Sequence, residues 1–175
     1  MAPLFPFLMD RLKVALRDKG IRHDLIDAVF SLGNEDDLVR LVARVEALQS
    51  FLKTDEGANL LAGYKRAANI LKAEEKREGK PFGTLPFVAP HAPAEERELA
   101  NVLEQSERKI AALVSDEKFV EAMGLMARLR APVDAFFDKV KVNADDPEDR
   151  KNRLLLLSRL RATLHLVADF SKIEG

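Results

Sequence analysis

The sequence predicts an all-α fold, a bundle of about seven to eight helices, from three observations. Apolar residues recur at helical spacing through most of the 175 residues. Helix-starting pairs such as Asp146-Pro147 precede these stretches, and helix-ending glycines such as Gly20 and Gly33 follow them. Strand-like alternation is confined to residues 140–143, which are too few to predict a sheet. With 47% hydrophobic residues, a chain of this length can bury a core.

Three helices are predicted in the first 53 residues, over 6–19, 24–32 and 35–52. Asp24 and Asn34 are the expected N-caps of the second and third helices, because short polar side chains accept hydrogen bonds from the first free N–H groups. The chain begins with an apolar segment that includes Phe5, Phe7 and Leu8. The segment lacks the features of a targeting signal. Because the chain starts so abruptly with apolar residues, we expect this segment to pack on part of a larger protein.

A fourth helix is predicted over 55–78, with Thr54 as its N-cap. The next segment, 79–93, contains six glycine and proline residues, which do not propagate a helix. It also contains Phe82, Leu85 and Phe87, which are too apolar for a free linker. We therefore expect an ordered strap on the protein surface.

Four helices are predicted after the strap, over 94–114, 116–130, 132–140 and 147–170. In the last one, Asp146 is a good N-cap and Pro147 suits the first helical position. Its apolar stripe predicts burial along one side. No acidic residue occurs between Arg150 and Val167, so the opposite face is expected to be exposed and positively charged. That face carries Arg150, Lys151, Ser158, Arg161 and His165.

Composition and spacing argue against several function classes. The net charge of -1 means that a nucleic-acid partner would require basic residues to be segregated onto one surface. Cysteine is absent, and no run reaches the roughly 20 apolar residues of a membrane helix, so we expect a cytoplasmic protein with no membrane contact. The three histidines lack metal-site spacing, which predicts no metal site. An HD-type hydrolase centre at His23-Asp24 is a distant alternative, and a lone Gly83 makes no phosphate loop.

Basic residues on defined helical faces are the candidate binding residues. On the fourth helix, Lys65, Asn69 and Lys72 share one side with Arg66 flanking, and they can contact phosphates and a base edge. The alternative is a solvated face in which Lys72 and Lys76 pair with glutamates. A further set lies nearer the C-terminus: Arg128, Arg130, Arg150, Lys151, Arg153 and Arg161.

Three of these candidates have explicit structural alternatives. Arg128 and Arg130 end a predicted helix, where a cation also stabilises the negative end of the dipole. Arg153 falls inside the apolar stripe, where an unpaired charge is costly, so it either pairs with Asp134 or Asp138 or reaches a ligand. Only one of the adjacent Phe136 and Phe137 can face the core fully, and the other either packs on a helix or stacks on a base.

Three segments resemble a known family. They are Gly63-Tyr-Lys-Arg-Ala-Ala-Asn-Ile-Leu71, the run Pro132-Val-Asp-Ala-Phe-Phe-Asp-Lys-Val-Lys-Val-Asn-Ala-Asp-Asp-Pro-Glu-Asp-Arg150-Lys-Asn-Arg153, and the ending Val167-Ala-Asp-Phe-Ser-Lys-Ile-Glu-Gly175. In this order they resemble the DALR-type anticodon-binding domain, and are most similar to that of the beta subunit of the bacterial two-chain glycyl-tRNA synthetase. The motif that names the family occurs in degenerate form as Ser158-Arg-Leu-Arg161, and Lys141 stands where the family often has an apolar residue.

The resemblance implies a domain organisation and a role. Residues 54–175 would form the anticodon-binding helical domain with its strap at 79–93, and residues 1–53 an N-terminal helical layer of a larger subunit. The chain would bind glycine tRNA through the ten candidate residues and contain no catalytic site. ATP and magnesium would bind the alpha subunit, which together with the rest of the beta subunit would be its protein partner. The alternative is a helical protein-protein interaction module that does not contact nucleic acid.

Overall fold

The fold is all-α, as predicted. A computed structural model describes residues 4–33 and 37–174. Within these ranges it contains eight α-helices and no strand. The helices are α1 (Leu4–Asp18), α2 (His23–Phe30), α3 (Leu38–Leu52), α4 (Asp55–Glu78), α5 (Ala94–Ser115), α6 (Phe119–Ala127), α7 (Arg130–Lys139) and α8 (Pro147–His165), and a 3-10 helix follows at Phe170–Lys172.

The start of α2 differs from the prediction that Asp24 caps it. The helix begins at His23, and the residue before it, Arg22, makes no side-chain capping bond. Asp24 is buried, and its carboxylate accepts hydrogen bonds from the Arg22 guanidinium and from the backbone N–H of Glu174. Asp24 therefore fixes the C-terminal segment to α2, a contact 150 residues away in sequence that local spacing does not reveal.

Helix α3 begins with an Asp37 cap. The carboxylate of Asp37 accepts hydrogen bonds from the N–H groups of Val39 and Arg40. The predicted cap, Asn34, and the predicted first residue, Glu35, lie outside the described residues. So does the side chain of Phe5, whereas Phe7 and Leu8 on α1 are exposed.

Helix α4 has the predicted ends. Thr54 Oγ1 accepts a hydrogen bond from Gly57 N–H at 3.0 Å. Gly79 adopts a left-handed conformation with φ of 73°, and its N–H donates to the carbonyl of Glu75, which is the usual glycine ending of a helix.

The segment 79–93 lies along α8 and runs antiparallel to it. Ser158 Oγ donates to the carbonyl oxygen of Phe82, and Phe87 N–H donates to Asn152 Oδ1, each at 3.2 Å. His91 Nε2 lies 2.9 Å from Asp149 Oδ1, near the start of α8.

The breaks around α7 and α8 differ from the prediction. Helix α6 ends at Ala127 and α7 begins at Arg130, so Pro132 lies in the first turn of α7, where a missing N–H costs little. Helix α8 ends at His165 instead of residue 170, because Phe170 belongs to the separate 3-10 helix that returns to α2.

The prediction that α8 is buried along one side only is wrong. The helix packs against α4 and α5, and the strap lies on it as well. Its buried residues therefore include Ser158, which was predicted on the opposite face, in addition to Arg153 and the leucines of the predicted stripe. The core into which it packs extends from Leu16 to Ile173. Among the described helices, none has the length and apolar character needed to cross a membrane.

Candidate nucleic-acid interface

Helices α4 and α8 are joined by ion pairs between acids of α4 and arginines of α8. The Arg150 guanidinium contacts the Glu74 carboxylate, and its Nε donates to Asn143 Oδ1 at 3.2 Å. Arg161 donates two hydrogen bonds to Glu75, at 2.7 and 3.1 Å. The hydrogen bonds from Arg161 hold the pKa of Glu75 below its ordinary value, although burial opposes this effect.

These pairs correct the prediction of an unbalanced positive face on α8. Arg150 and Arg161 are only partly exposed and are neutralised by acids of a helix some 80 residues earlier, and Ser158 is buried. A single helix considered alone cannot show acids that another helix contributes. Lys151, which was also predicted on this face, is exposed.

Because Glu74 and Glu75 turn toward α8, the outer face of α4 is left to basic and neutral residues. Lys65, Asn69, Lys72 and Lys76 follow one another at spacings of four, three and four, which places them on one side of the helix. Among the exposed residues of α4 between positions 58 and 77, none is acidic. The outer face of α4 is therefore a positively charged surface.

Arg66 lies at the edge of this outer face. It is exposed, and its guanidinium carbon is 4.5 Å from the centroid of the Phe137 ring on α7. Phe136, the neighbour of Phe137, is fully buried. The partly exposed Phe137 thus supports Arg66, as a ring commonly supports a guanidinium.

A groove of about 660 Å³ opens where α4, α8 and the C-terminal segment meet. We call it the basic groove, because basic residues outnumber acidic ones in its lining by five to two. Two acids also line it: Glu75 is paired with Arg161, and the Asp169 carboxylate accepts hydrogen bonds from Ser171. The basic residues of the groove are Lys72, Lys76, Lys80, Arg161 and His165.

Residues 60–174 match the family model for the DALR anticodon binding domain. The chain belongs to the DALR anticodon-binding family. The matched range begins within α4 and contains the whole basic groove and the strap. This finding confirms the resemblance drawn from the sequence.

The DALR chain is also similar to curated proteins named glycine–tRNA ligase beta subunit. The protein from Rhodospirillum centenum is 56% identical over 98% of the chain, and that from Phenylobacterium zucineum is 55% identical over 97%. The protein from Cereibacter sphaeroides is 51% identical over 98%. The DALR chain spans about a quarter of the length of each relative, 24% to 25%.

The remaining candidates of the DALR chain lie away from the groove. Arg128 is exposed just after α6, and Arg130 is 3.5 Å from Asp134 within α7. Arg153 is buried, and its Nε donates to Glu96 Oε1 at 2.6 Å. Of the two alternatives predicted for Arg153, the pairing with Asp134 or Asp138 is therefore wrong, because the partner comes from the first turn of α5.

The basic groove also contains three residues outside the predicted binding set, Lys76, Lys80 and His165. Lys76 continues the spacing of Lys65, Asn69 and Lys72, so helical periodicity is the signal that places it on the same face. Lys80 joins the groove only because the strap turns back along α8. Within residues 4–33 and 37–174, no group of three potential metal-binding side chains occurs.

Proposed function

We propose that this chain binds the anticodon stem-loop of glycine tRNA as the anticodon-binding part of a glycine–tRNA ligase beta subunit. The observation that carries the proposal is the acid-free outer face of α4, which leads into the basic groove. RNA backbones are bound through such surfaces because each neutralised phosphate releases counterions. Membership of an anticodon-binding family and similarity to beta subunits support this assignment.

The residues of the interface have distinct proposed roles. Lys72, Lys76 and Lys80 bind phosphates, because ammonium groups on flexible stems act as point charges. Asn69 lies in the same row and offers an amide, which can hydrogen-bond to a base edge. Arg161 is held by Glu75 at the groove wall and contributes through its remaining donors. Arg153 is not part of the proposed surface, because it is buried and paired.

The proposed enzyme context rests on the resemblance to the two-chain synthetase. We propose that ATP-dependent attachment of glycine, with ATP and magnesium, takes place on an alpha subunit, and that the rest of the beta subunit is the other protein partner. The present chain supports the reaction by holding tRNA and contributes no catalytic group.

Binding of fluorescently labelled glycine tRNA to the chain at two salt concentrations tests the proposal. We expect affinity to fall steeply with salt, and a K72A/K76A/K80A variant to bind at least several-fold more weakly with a salt slope smaller by roughly three, about one per lost phosphate contact. The matched control is R108A/K109A/K118A, which removes three exposed cations that do not line the groove. Equal affinities and slopes for the folded wild type and the groove variant would refute the assignment.

A tRNA with altered anticodon bases provides the second comparison. Weaker binding of the altered tRNA supports anticodon reading, because phosphate contacts alone do not distinguish bases. Absence of any tRNA binding by the wild-type chain would favour the alternative function, a helical protein-protein interaction module.

A further inference from the structure

The strap holds two apolar side chains in solvent although its backbone is fixed to α8. Phe87 is 67% exposed and Leu85 is 82% exposed. The N–H of Phe87 is nevertheless bonded to Asn152 Oδ1, and contacts of Phe82 with Ser158 and of His91 with Asp149 hold the strap on either side. The aromatic ring is therefore presented from a fixed backbone, so binding to it costs little chain entropy.

The charged residues of the strap itself favour an anionic partner, although Glu148 and Asp149 lie on α8 within four residues of Asn152. Residues 79–93 include Lys80 and His91 but no acidic residue. Lys151 is exposed on α8 and is adjacent in sequence to Asn152, which anchors Phe87. An exposed aromatic ring on a segment that carries a lysine and no acid suits single-stranded RNA, which proteins bind by stacking on the base and neutralising the phosphate.

The strap runs from the basic groove to Phe87. Asn152, which holds Phe87, and Arg161, which lines the groove, are nine residues apart on α8, or about 14 Å along the helix axis at 1.5 Å per residue. Nine residues are about two and a half turns, so the two side chains leave α8 on opposite sides, and an RNA that reaches both has to curve around the helix. Lys80 lines the groove at the beginning of the same strap. The strap thus connects the phosphate-binding residues to the exposed ring.

We propose that Phe87 is a base-stacking residue, on which an unpaired base of the tRNA packs while the RNA backbone lies in the basic groove. This inference rests on the proposed function, and it adds a contact that gives affinity without involving a phosphate. Lys151 neutralises the phosphate next to the stacked base.

A Phe87→Trp variant tests the contact directly, because the natural chain contains no tryptophan. We expect tRNA to quench the fluorescence of the new indole as the base stacks on it, with affinity equal to or tighter than that of the wild type. The control is Val39→Trp, which places a tryptophan at a position that is 77% exposed on α3. Its fluorescence should change little with tRNA.

A Phe87→Ala variant provides an independent measure. We expect its affinity for glycine tRNA to fall by about fivefold to a hundredfold, the range that is typical of losing one stacked base. The salt slope should stay unchanged, because no phosphate contact is removed. A Phe87→Tyr variant retains the ring and should restore most of the affinity.

The outcomes separate this inference from the proposed function. Anisotropy of labelled tRNA reports binding to the chain, and the tryptophan reports the strap alone. If tRNA binds but Trp fluorescence at position 87 and the affinity of F87A do not change, the stacking role is refuted and the proposed function stands. If wild-type protein binds no tRNA, both are refuted. A blue shift that depends on protein concentration, without quenching by tRNA, assigns the ring to a protein contact and also refutes the inference.

Discussion

Arg153 and Glu96 form an ion pair inside the protein. Their side chains are 10% and 6% exposed, and Arg153 Nη1 also donates to the carbonyl of Lys141 at 2.8 Å. The pair joins α8 to the first turn of α5 and to the segment after α7. Removing two charges from water is costly in free energy. The pair is tolerated inside the protein because each charge has the other as its partner.

Removing one member of this pair should be more damaging than removing both. For Glu96→Ala, which leaves a buried guanidinium without its carboxylate, we expect the free energy of unfolding to fall by roughly 3–5 kcal/mol. In the double variant E96L/R153M, apolar side chains fill the same space, and the loss should be smaller. Urea denaturation monitored by circular dichroism measures both. A double variant less stable than E96A would contradict this explanation.

The environments of Asp24 and Glu75 make stability depend on pH. Burial raises the pKa of Asp24, but the hydrogen bonds from Arg22 and from Glu174 N–H outweigh it, so the pKa lies below its ordinary value of 3.8. The pKa of Glu75 lies below its ordinary value of 4.5, because Arg161 donates to it. Both carboxylates therefore contribute stability that is present above these ordinary values and is lost as pH falls through the lower folded values.

We accordingly expect the midpoint of urea denaturation to decrease as pH falls from 7 to 3, most steeply between pH 5 and pH 3. Asp24→Asn should be less stable than wild type at pH 7 and should show a shallower decrease, because one of the two carboxylates no longer titrates. Glu121→Gln, at an exposed position on α6, is the control and should follow the wild-type curve. An unchanged pH profile for D24N would contradict the role assigned to this carboxylate.

At the scale of the helices, local sequence signals predicted where a helix begins or ends better than they predicted which residues pack around it. Thr54, Gly79 and Asp146 act where they stand, because a cap contacts the N–H or carbonyl groups of its own turn. The partner of Arg153 and the exposure of Arg161 depend on which helices become neighbours. Those neighbours lie 57 and 86 residues away in sequence, so periodicity within α8 gave no information about them.

The same limit applies to the candidate interface. The row formed by Lys65, Asn69 and Lys72 could be predicted, because it depends only on helical spacing. The groove could not, since it forms where α4, α8 and the C-terminal segment meet. That Glu74 and Glu75 of α4 turn toward α8, away from this row, is also a result of packing.

The Glu75–Arg161 pair allows the structural and RNA-binding roles of Arg161 to be separated. Glu75→Gln removes the carboxylate charge and leaves the guanidinium free to bind a phosphate, so we expect lower stability but equal or tighter tRNA binding. Arg161→Gln removes the cation, and both stability and tRNA affinity should fall. Denaturation curves and tRNA titrations of the two variants measure these effects. Parallel losses of affinity in both would show that Arg161 acts only through the fold.

At the scale of the whole molecule, the core does not divide at the predicted domain boundary. Leu41, Val45 and Leu48 of α3 are at most 1% exposed, and α3 packs against both α4 and α6. The 3-10 helix near the C-terminus packs against α2, and Asp169 N–H donates to the carbonyl of Ala28 at 2.7 Å. The first and last parts of the chain are therefore joined, although the division into residues 1–53 and 54–175 remains a prediction.

This continuity predicts the behaviour of a shortened chain. A fragment of residues 54–175 keeps the basic groove but loses α2 and α3, whose apolar side chains each contribute about 1.5–3 kcal/mol when fully buried. We expect the fragment to melt at a markedly lower temperature and with less cooperativity than the full chain. Circular dichroism gives the melting curve, and hydrogen exchange at α4 reports whether the exposed core has loosened.

Adding residues 1–53 as a separate peptide should restore part of the lost stability. If the fragment melts at the same temperature as the full chain, the N-terminal helices are an independent layer, and the basic groove needs only the residues from 54 onward to form.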